Sequence, residues 1–169
     1  MAKKQASHSR RFWLFKSEPE SFSIADLAKA PQQTTFWDGI RNYQARNFLR
    51  DDVQLGDRVL FYHSNSDPMA IVGICEVVRT GYPDHSAFDP QSKYYDEKTD
   101  PNNPAWYMVD IKLLQQLKSP LTRDQLKDAP ELKDMMLLKK GSRLSIQPVA
   151  RDEFLAILKL SGARQSLAD

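Results

Sequence analysis

The hydrophobic pattern of this chain breaks into short stretches, each closed by turn residues. Arg11 to Lys16 (RFWLFK) is apolar and aromatic-rich and predicts a buried first strand. Ser23 followed by Asp26 has the spacing of a capping box, which opens a short helix over Ile24 to Ala30 that Pro31 ends. Thr34 to Trp37 is β-prone, Asp38-Gly39 turns the chain, and Asn42 can cap a helix from Tyr43 to about Asp51. Ala45, Phe48 and Leu49 share the core face of that helix, and Tyr43, Arg46, Asn47 and Arg50 form a ridge on the opposite one.

Val53 to Asp57 turns into a strand over Arg58 to His63, and Ser64 to Pro68 is a polar hairpin tip before a second strand, Met69 to Arg79. Thr80 to Ala105 has no periodicity and carries four prolines; connections of that length are functional or disordered. Its Phe88, Tyr94 and Tyr95 favour packing onto the domain. Trp106 to Leu114 reads as a strong strand, and Thr122 with Gln125 as a second capping box. Ser142 to Val149 alternates as a half-buried last strand, and Arg151 to Leu160 closes with a helix whose Phe154, Leu155 and Leu158 face inward. Five or so strands between short helices, without a βαβ rhythm, predict an α+β domain with a mainly antiparallel sheet, curled into a partly open barrel.

At 169 residues the chain fits one domain, expected over 12–160 between a basic N-terminal tail (1–11) and a C-terminal tail (161–169). No stretch approaches the ~18 consecutive apolar residues of a membrane span. Cys75 is the only cysteine, so an internal disulfide is excluded and a cytoplasmic location is expected, or a nuclear one if the source is eukaryotic. Lys3, Lys4, Arg10 and Arg11 face no acid in the tail; setting them aside leaves 20 Lys and Arg against 22 Asp and Glu. The body is therefore no basic coat for nucleic acid, and any such binding must be local. The tail itself fits either a phosphate-binding arm or an ordinary unstructured terminus.

Catalytic chemistry finds little support. His8, His63, His85 and Cys75 are too scattered for a zinc site, and no Walker loop, GxSxG elbow or GxGxxG occurs. Ser17-Glu18 and His63-Ser64 pair a hydroxyl with an acid or base, but strand neighbours point to opposite faces, so neither pair works alone. Trp13, Trp37 and Trp106 come from separate segments, with Tyr43, Tyr62, Tyr94, Tyr95 and Tyr107 near them in sequence. Such rings either fill the core or, beside Ser17, Asp38, Asn42 and Ser64, wall a pocket for a planar base. Likewise the Tyr43-Arg46-Asn47-Arg50 ridge suits a phosphate backbone or a plain solvated face.

Six blocks in one order decide between these readings. They are Phe12 to Pro19 (FWLFKSEP), Trp37 to Asn47 (WDGIRNYQARN), Phe61 to Ser64 (FYHS), Gly73 to Val78 (GICEVV), Trp106 to Asp110 (WYMVD) and Ser142 to Val149 (SRLSIQPV). This series resembles the EVE domain family from about Phe12 to Leu160; Ile40 stands where the family usually has valine. The resemblance implies a PUA-like pseudobarrel of five to six strands, related to the YTH domain that reads N6-methyladenine in RNA. It further implies a non-catalytic monomeric module without cofactor or metal, recognising a modified base such as 5-methylcytosine in DNA, with RNA as the alternative polymer. Carried over, Trp37 is the stacking wall, with Lys16, Ser17, Glu18, Asp38 and Asn42 beside it. Tyr62, His63 and Ser64 approach from the hairpin, and Ser145 and Gln147 from the last strand. Arg41, Arg46 and Arg50 would hold flanking phosphates. An enzyme acting on a modified base, with Glu18 or His63 as acid–base group, is the competing class.

Overall fold

Aromatic and aliphatic residues occupy both alternate sets of the first strand, and the structure, a computed structural model describing residues 9–169, shows why. In β1 (Phe12–Ser17), Phe12 and Leu14 enter one core while Trp13 and Phe15 enter another on the opposite face. A strand buried on both sides must be apolar throughout. The first core is closed by α4 (Arg151–Ser161), whose Phe154 ring stacks on Phe12 at 4.4 Å, and by α3 (Arg123–Lys127) through Leu126. The second is closed by α1 (Ile24–Lys29) and α2 (Tyr43–Asn47), through Ile24, Leu27 and Ala45.

Three further strands are β2 (Thr34–Phe36), β3 (Arg58–His63) and β4 (Ala70–Pro83); β5 (Tyr107–Thr122) and β6 (Ile146–Val149) complete one sheet in the order β2-β5-β4-β3-β1-β6. All pairings are antiparallel except β1 with β3, which run parallel with Lys16 beside Tyr62 and Ser17 beside His63. This mixed, wrapped sheet with short helices is a PUA-like α+β pseudobarrel.

The local signals are realised as hydrogen bonds. Ser23 and Asp26 form a complete capping box, as do Thr122 and Gln125, and Asn42 caps α2. The expected helix to Asp51 has that extent, but its last turn, Phe48–Asp52, widens to a π-turn closed by the Val53 N–H donating to the Phe48 carbonyl at 2.9 Å. Gly81 lies so close to this turn that a Cβ there would meet the Leu49 carbonyl at 2.5 Å. Two strands exceed their expected ends: β4 continues through Thr80–Pro83, and β5 runs to Thr122 instead of Leu114. The last strand is shorter, beginning at Ile146 rather than Ser142.

Residues 161–169 are not a tail. Gly162 ends α4 with φ +71°, and Ala163, Leu167 and Ala168 then pack into the first core. Arg58 and Arg151 donate to the Leu167 and Ala168 carbonyls at 2.8 and 3.2 Å. Lys3 and Lys4 of the basic N-terminal segment lie outside the described residues; Arg11 already belongs to the fold, its N–H on Asp57 at 3.0 Å.

Asp57, fully buried, ties the sheet's start together. Its carboxylate also accepts from the Trp13 indole and the Gln54 N–H, both at 2.9 Å. Replacing it strands buried donors, each costing about 1–3 kcal/mol. Asp57→Ala should therefore lower stability by about 3 kcal/mol, seen as a lower urea midpoint at unchanged slope. Trp13→Phe, which removes a donor from a carboxylate that keeps others, should cost less than Asp57→Ala.

Candidate functional site

Parallel pairing sends the chain out of β1 and β3 at the same end of the sheet, and a cavity of about 830 Å³ opens there. That volume lies in the roughly 300–1,000 Å³ range of ligand pockets. Beyond β1 the chain folds into a tight turn: Ser21 and Phe22 donate backbone N–H groups to the Glu18 carbonyl, and the Ser17 hydroxyl donates to the Phe22 carbonyl at 2.5 Å. Ser64, following β3, donates its N–H to the Ser17 carbonyl at 3.0 Å. The Lys16 N–H reaches the Ser145 carbonyl at 2.9 Å, bringing the approach to β6 to the same place.

Trp37 forms one wall. Its backbone N–H is held by the Val109 carbonyl at 2.8 Å, and its ring packs at 5.4 Å from both Phe15 and Phe61. Although only 7% exposed, it lines the cavity, so the core packing fixes the ring in that wall. Another part of the lining depends on Gly39, at φ +79°. A Cβ there would stand 2.5–2.7 Å from the Tyr94 ring, so only glycine lets that ring lie on the Asp38-Gly39 turn.

A buried ion pair holds Tyr94 in place. Asp84, 0% exposed, accepts from the Gly39 N–H at 2.8 Å and the Arg41 guanidinium at 2.9 Å through one oxygen. Its other oxygen accepts from the Ser86 N–H and hydroxyl at 2.8 and 2.5 Å. Arg41 also donates to the Tyr94 carbonyl at 2.6 Å, with its guanidinium 5.2 Å from the Trp106 ring and 5.7 Å from the Tyr94 ring.

The polar groups differ in charge state. Burial alone would raise the Asp84 pKa, but the hydrogen bonds from Ser86, Gly39 and Arg41 outweigh it and hold the carboxyl below its ordinary range. Asp38 goes the other way, pushed up first by burial and then by the Asp84 charge. Burial, then the Arg123 charge, lowers the Lys16 ammonium. Glu18 accepts from the Asn65 side-chain amide at 2.6 Å. With its proton already given to the Phe22 carbonyl, the Ser17 hydroxyl is left as an acceptor at the cavity wall.

Of the residues singled out in the sequence, the cavity brings together Lys16, Ser17, Glu18, Trp37, Asp38, Ser64 and Ser145. It does not gather the others. Asn42 is occupied as a helix cap, its Oδ1 accepting from the Ala45 N–H at 3.0 Å. His63 accepts at Nε2 from the Ile24 N–H at 3.1 Å, and burial lowers its pKa. Gln147 is buried and donates to Ser142 Oγ and the Leu144 carbonyl, both at 2.9 Å. Tyr62 lines a smaller neighbouring cavity instead. The three arginines assigned to phosphates are committed elsewhere: Arg41 to Asp84, Arg46 to the Ala105 carbonyl at 2.6 Å, and Arg50 to Asp51 at 2.8 and 2.9 Å. The Tyr43 ring of that ridge stacks on Trp106 at 4.9 Å.

Sequence reasoning missed Phe22, Phe36, Asn65, Lys93, Tyr94 and Arg143, which also line the cavity. Only Tyr94 had a signal, as an aromatic in the long aperiodic connection. Among the described residues, no three His, Cys, Asp or Glu side chains stand close enough to hold a metal ion.

A PUA-like pseudobarrel with an aromatic and polar cavity at the end of its parallel strand pair is what fold and site define together. The EVE domain matches residues 11–160, and the chain belongs to the EVE domain family. It is 45% identical over 165 residues to thymocyte nuclear protein 1 of Gallus gallus, covering 88% of this chain and 67% of that one. A hypothetical protein from Leishmania major superposes with TM-score 0.85 at 45% identity, covering 90% of this chain and 95% of that one. Human THYN1, solved in complex with 5-methylcytosine-containing DNA, superposes with TM-score 0.84 at 41% identity, covering 91% and 99%.

The raised Asp38 pKa has a sign that can be tested. The native state holds a proton that the unfolded state has released, so stability falls as pH rises from the ordinary carboxylate value through the raised one. Asp38→Asn removes that loss. It should melt higher than wild type at neutral pH, and the advantage should vanish in acid below the ordinary carboxylate range. A constant difference at every pH would place the effect in packing rather than in the proton.

Proposed function

We propose that this chain is a non-catalytic, monomeric reader of a modified base, 5-methylcytosine or a close relative in DNA, held in the cavity between Trp37 and Tyr94. The observation that carries the reading is that cavity: a core-locked tryptophan and a turn-seated tyrosine line it together with donors and acceptors at the end of β1. The human relative solved with 5-methylcytosine-containing DNA, of the same fold at 41% identity, supports it. A nuclear location, if the source is eukaryotic, has the support of what the relatives are called, whereas a cytoplasmic one has none.

The energetics favour a weak but selective binder. Extruding a base from a duplex costs a few kcal/mol, and stacking on an aromatic wall returns about 1–3 kcal/mol. Cytosine presents an exocyclic amine that needs an acceptor, which Ser17 Oγ or Asp38 supplies. Its ring nitrogen and carbonyl need donors, which Lys16, Asn65 and Arg143 supply. One buried methyl group adds about 0.8 kcal/mol, a preference of about fourfold. The groups proposed for an enzyme are engaged in structural bonds, Glu18 with Asn65 and His63 with the start of α1.

Binding of matched duplexes with and without a single 5-methylcytosine, and of RNA of equal length, tests the reading. Wild type should prefer the methylated duplex. Tyr94→Ala and Trp37→Phe should weaken that complex by about tenfold or more while melting cooperatively. Equal binding of both duplexes, or a base released or deaminated on long incubation, would sink the reading, and tighter binding of the RNA would transfer it to the other polymer.

A further inference from the structure

A second cavity, of about 360 Å³, adjoins the first, and the two share Lys16, Ser64 and Asn65. Its other sides come from Tyr62 near the end of β3, from Arg123 at the start of α3, and from Lys139 and Lys140 in the segment before β6. Four cationic side chains meet there, and no Asp or Glu lines it. Lys16 makes one long bond to the Ser142 carbonyl at 3.4 Å. The side chains of Arg123, Lys139 and Lys140 have no ion pair or hydrogen bond among the described residues, unlike the arginines of α2 and its π-turn.

Tyr62 supplies the second observation. Only 1% of its surface is exposed, it lines this cavity, and its hydroxyl has no hydrogen-bond partner among the described residues. Burial raises its pKa, so it remains a neutral O–H donor. Its hydroxyl opens onto the cavity, and an unpaired O–H donor set among four cations is suited to an oxyanion. The common wall with the first cavity limits where that oxyanion can come from. A group bound here lies next to a base held there, which is where the phosphate of the same nucleotide falls.

Resting on the reader assignment above, we propose that this second cavity is a phosphate subsite, gripping the phosphodiester of the extruded nucleotide with Lys139, Lys140, Arg123 and the Tyr62 hydroxyl. Phosphate contacts carry affinity without sequence information, while the base cavity carries the discrimination. The two roles therefore separate experimentally.

The test measures full-chain binding to methylated and unmethylated duplexes across a salt series. Lys139→Ala/Lys140→Ala should weaken both complexes by about tenfold, reduce the salt slope by roughly two, and leave the methyl preference intact. Tyr62→Phe should weaken both by a few-fold with an unchanged slope. A control pair away from both cavities, Lys98→Ala/Lys159→Ala, should change little. Affinity and slope unaffected by the Lys139/Lys140 pair, or affected no more than by the control, would overturn the subsite. Inorganic phosphate shifting the Lys139 and Lys140 resonances at concentrations as low as the oligonucleotide would identify free phosphate as the ligand and also overturn it. Loss of methyl preference in wild type, with the Lys139/Lys140 effect retained, would instead sink the base reading and leave the phosphate subsite standing.

Discussion

The bond between Asp84 and Arg41 is what the candidate site depends on most. Asp84 begins the long aperiodic connection and Arg41 follows the Asp38-Gly39 turn, and no strand ladder joins the two segments. One carboxylate closes that gap with four donors, which satisfies all its lone pairs and makes its complete burial tolerable. Arg41 then passes the constraint on to the Tyr94 carbonyl. Removing either partner of a buried pair leaves a charge without compensation, at a cost of about 3–5 kcal/mol. Because the Asp84 carboxyl sits below its ordinary range, this contribution is present above the usual carboxylate pKa and lost as pH falls through the folded value. Asp38, one residue from Gly39, has the opposite dependence, so two carboxyls from separate segments meet at this turn with their protonation driven apart by their surroundings.

That arrangement explains what fixes the cavity's two aromatic side chains. Trp37 is held by Phe15 and Phe61, rings from the two parallel strands, and Tyr94 is held by glycine geometry and the ion pair. On the proposed reading, neither ring needs ordering by a bound base, so little of the modest stacking energy is spent on fixing side chains. The same economy removes Arg41 from solution duty. Its guanidinium is bonded to Asp84 and Tyr94, and the rings of Tyr94 and Trp106 lie beside it.

Features set by residues close in sequence were legible in advance. The capping boxes at Ser23 and Thr122, the Asn42 cap and the hairpin between β3 and β4 involve partners a few residues apart. The lengths of β4 and β5 were not, because register shifts along their pairing break the two-residue alternation on which a strand is recognised. Nor was the parallel pairing of β1 with β3, which joins segments more than forty residues apart. At the site, the seven residues gathered into the cavity came from blocks shared with a family. Those that fell outside show where such transfer fails: His63, between Tyr62 and Ser64, lines neither cavity, since successive residues on a strand face opposite sides, and Tyr62 borders the smaller cavity, which Ser64 also lines. Asn42 and Gln147 were drawn away by backbone groups whose positions only the folded chain defines. Lys93, an isolated charge in the long aperiodic connection, gave no pattern to read.

Charge placement brings these strands of reasoning together. Beyond the first eleven residues the chain carries two more acids than bases, so its average field does not attract a polyanion. Arginines on α2 and its π-turn look suited to phosphate in sequence, but carbonyls and carboxylates of the fold already satisfy them. Lys16, Arg123, Lys139 and Lys140 border the adjoining cavities instead, and Lys16 belongs to both. A chain with that charge balance gains little from sliding along bulk DNA, because its overall field does not favour a polyanion. On the proposed reading, the cations of the second cavity and the rings of the first act on the same nucleotide. A weak single-base contact is thereby made usable: the stacking and methyl contributions are small, and they matter only if the backbone beside that base is held at the same time.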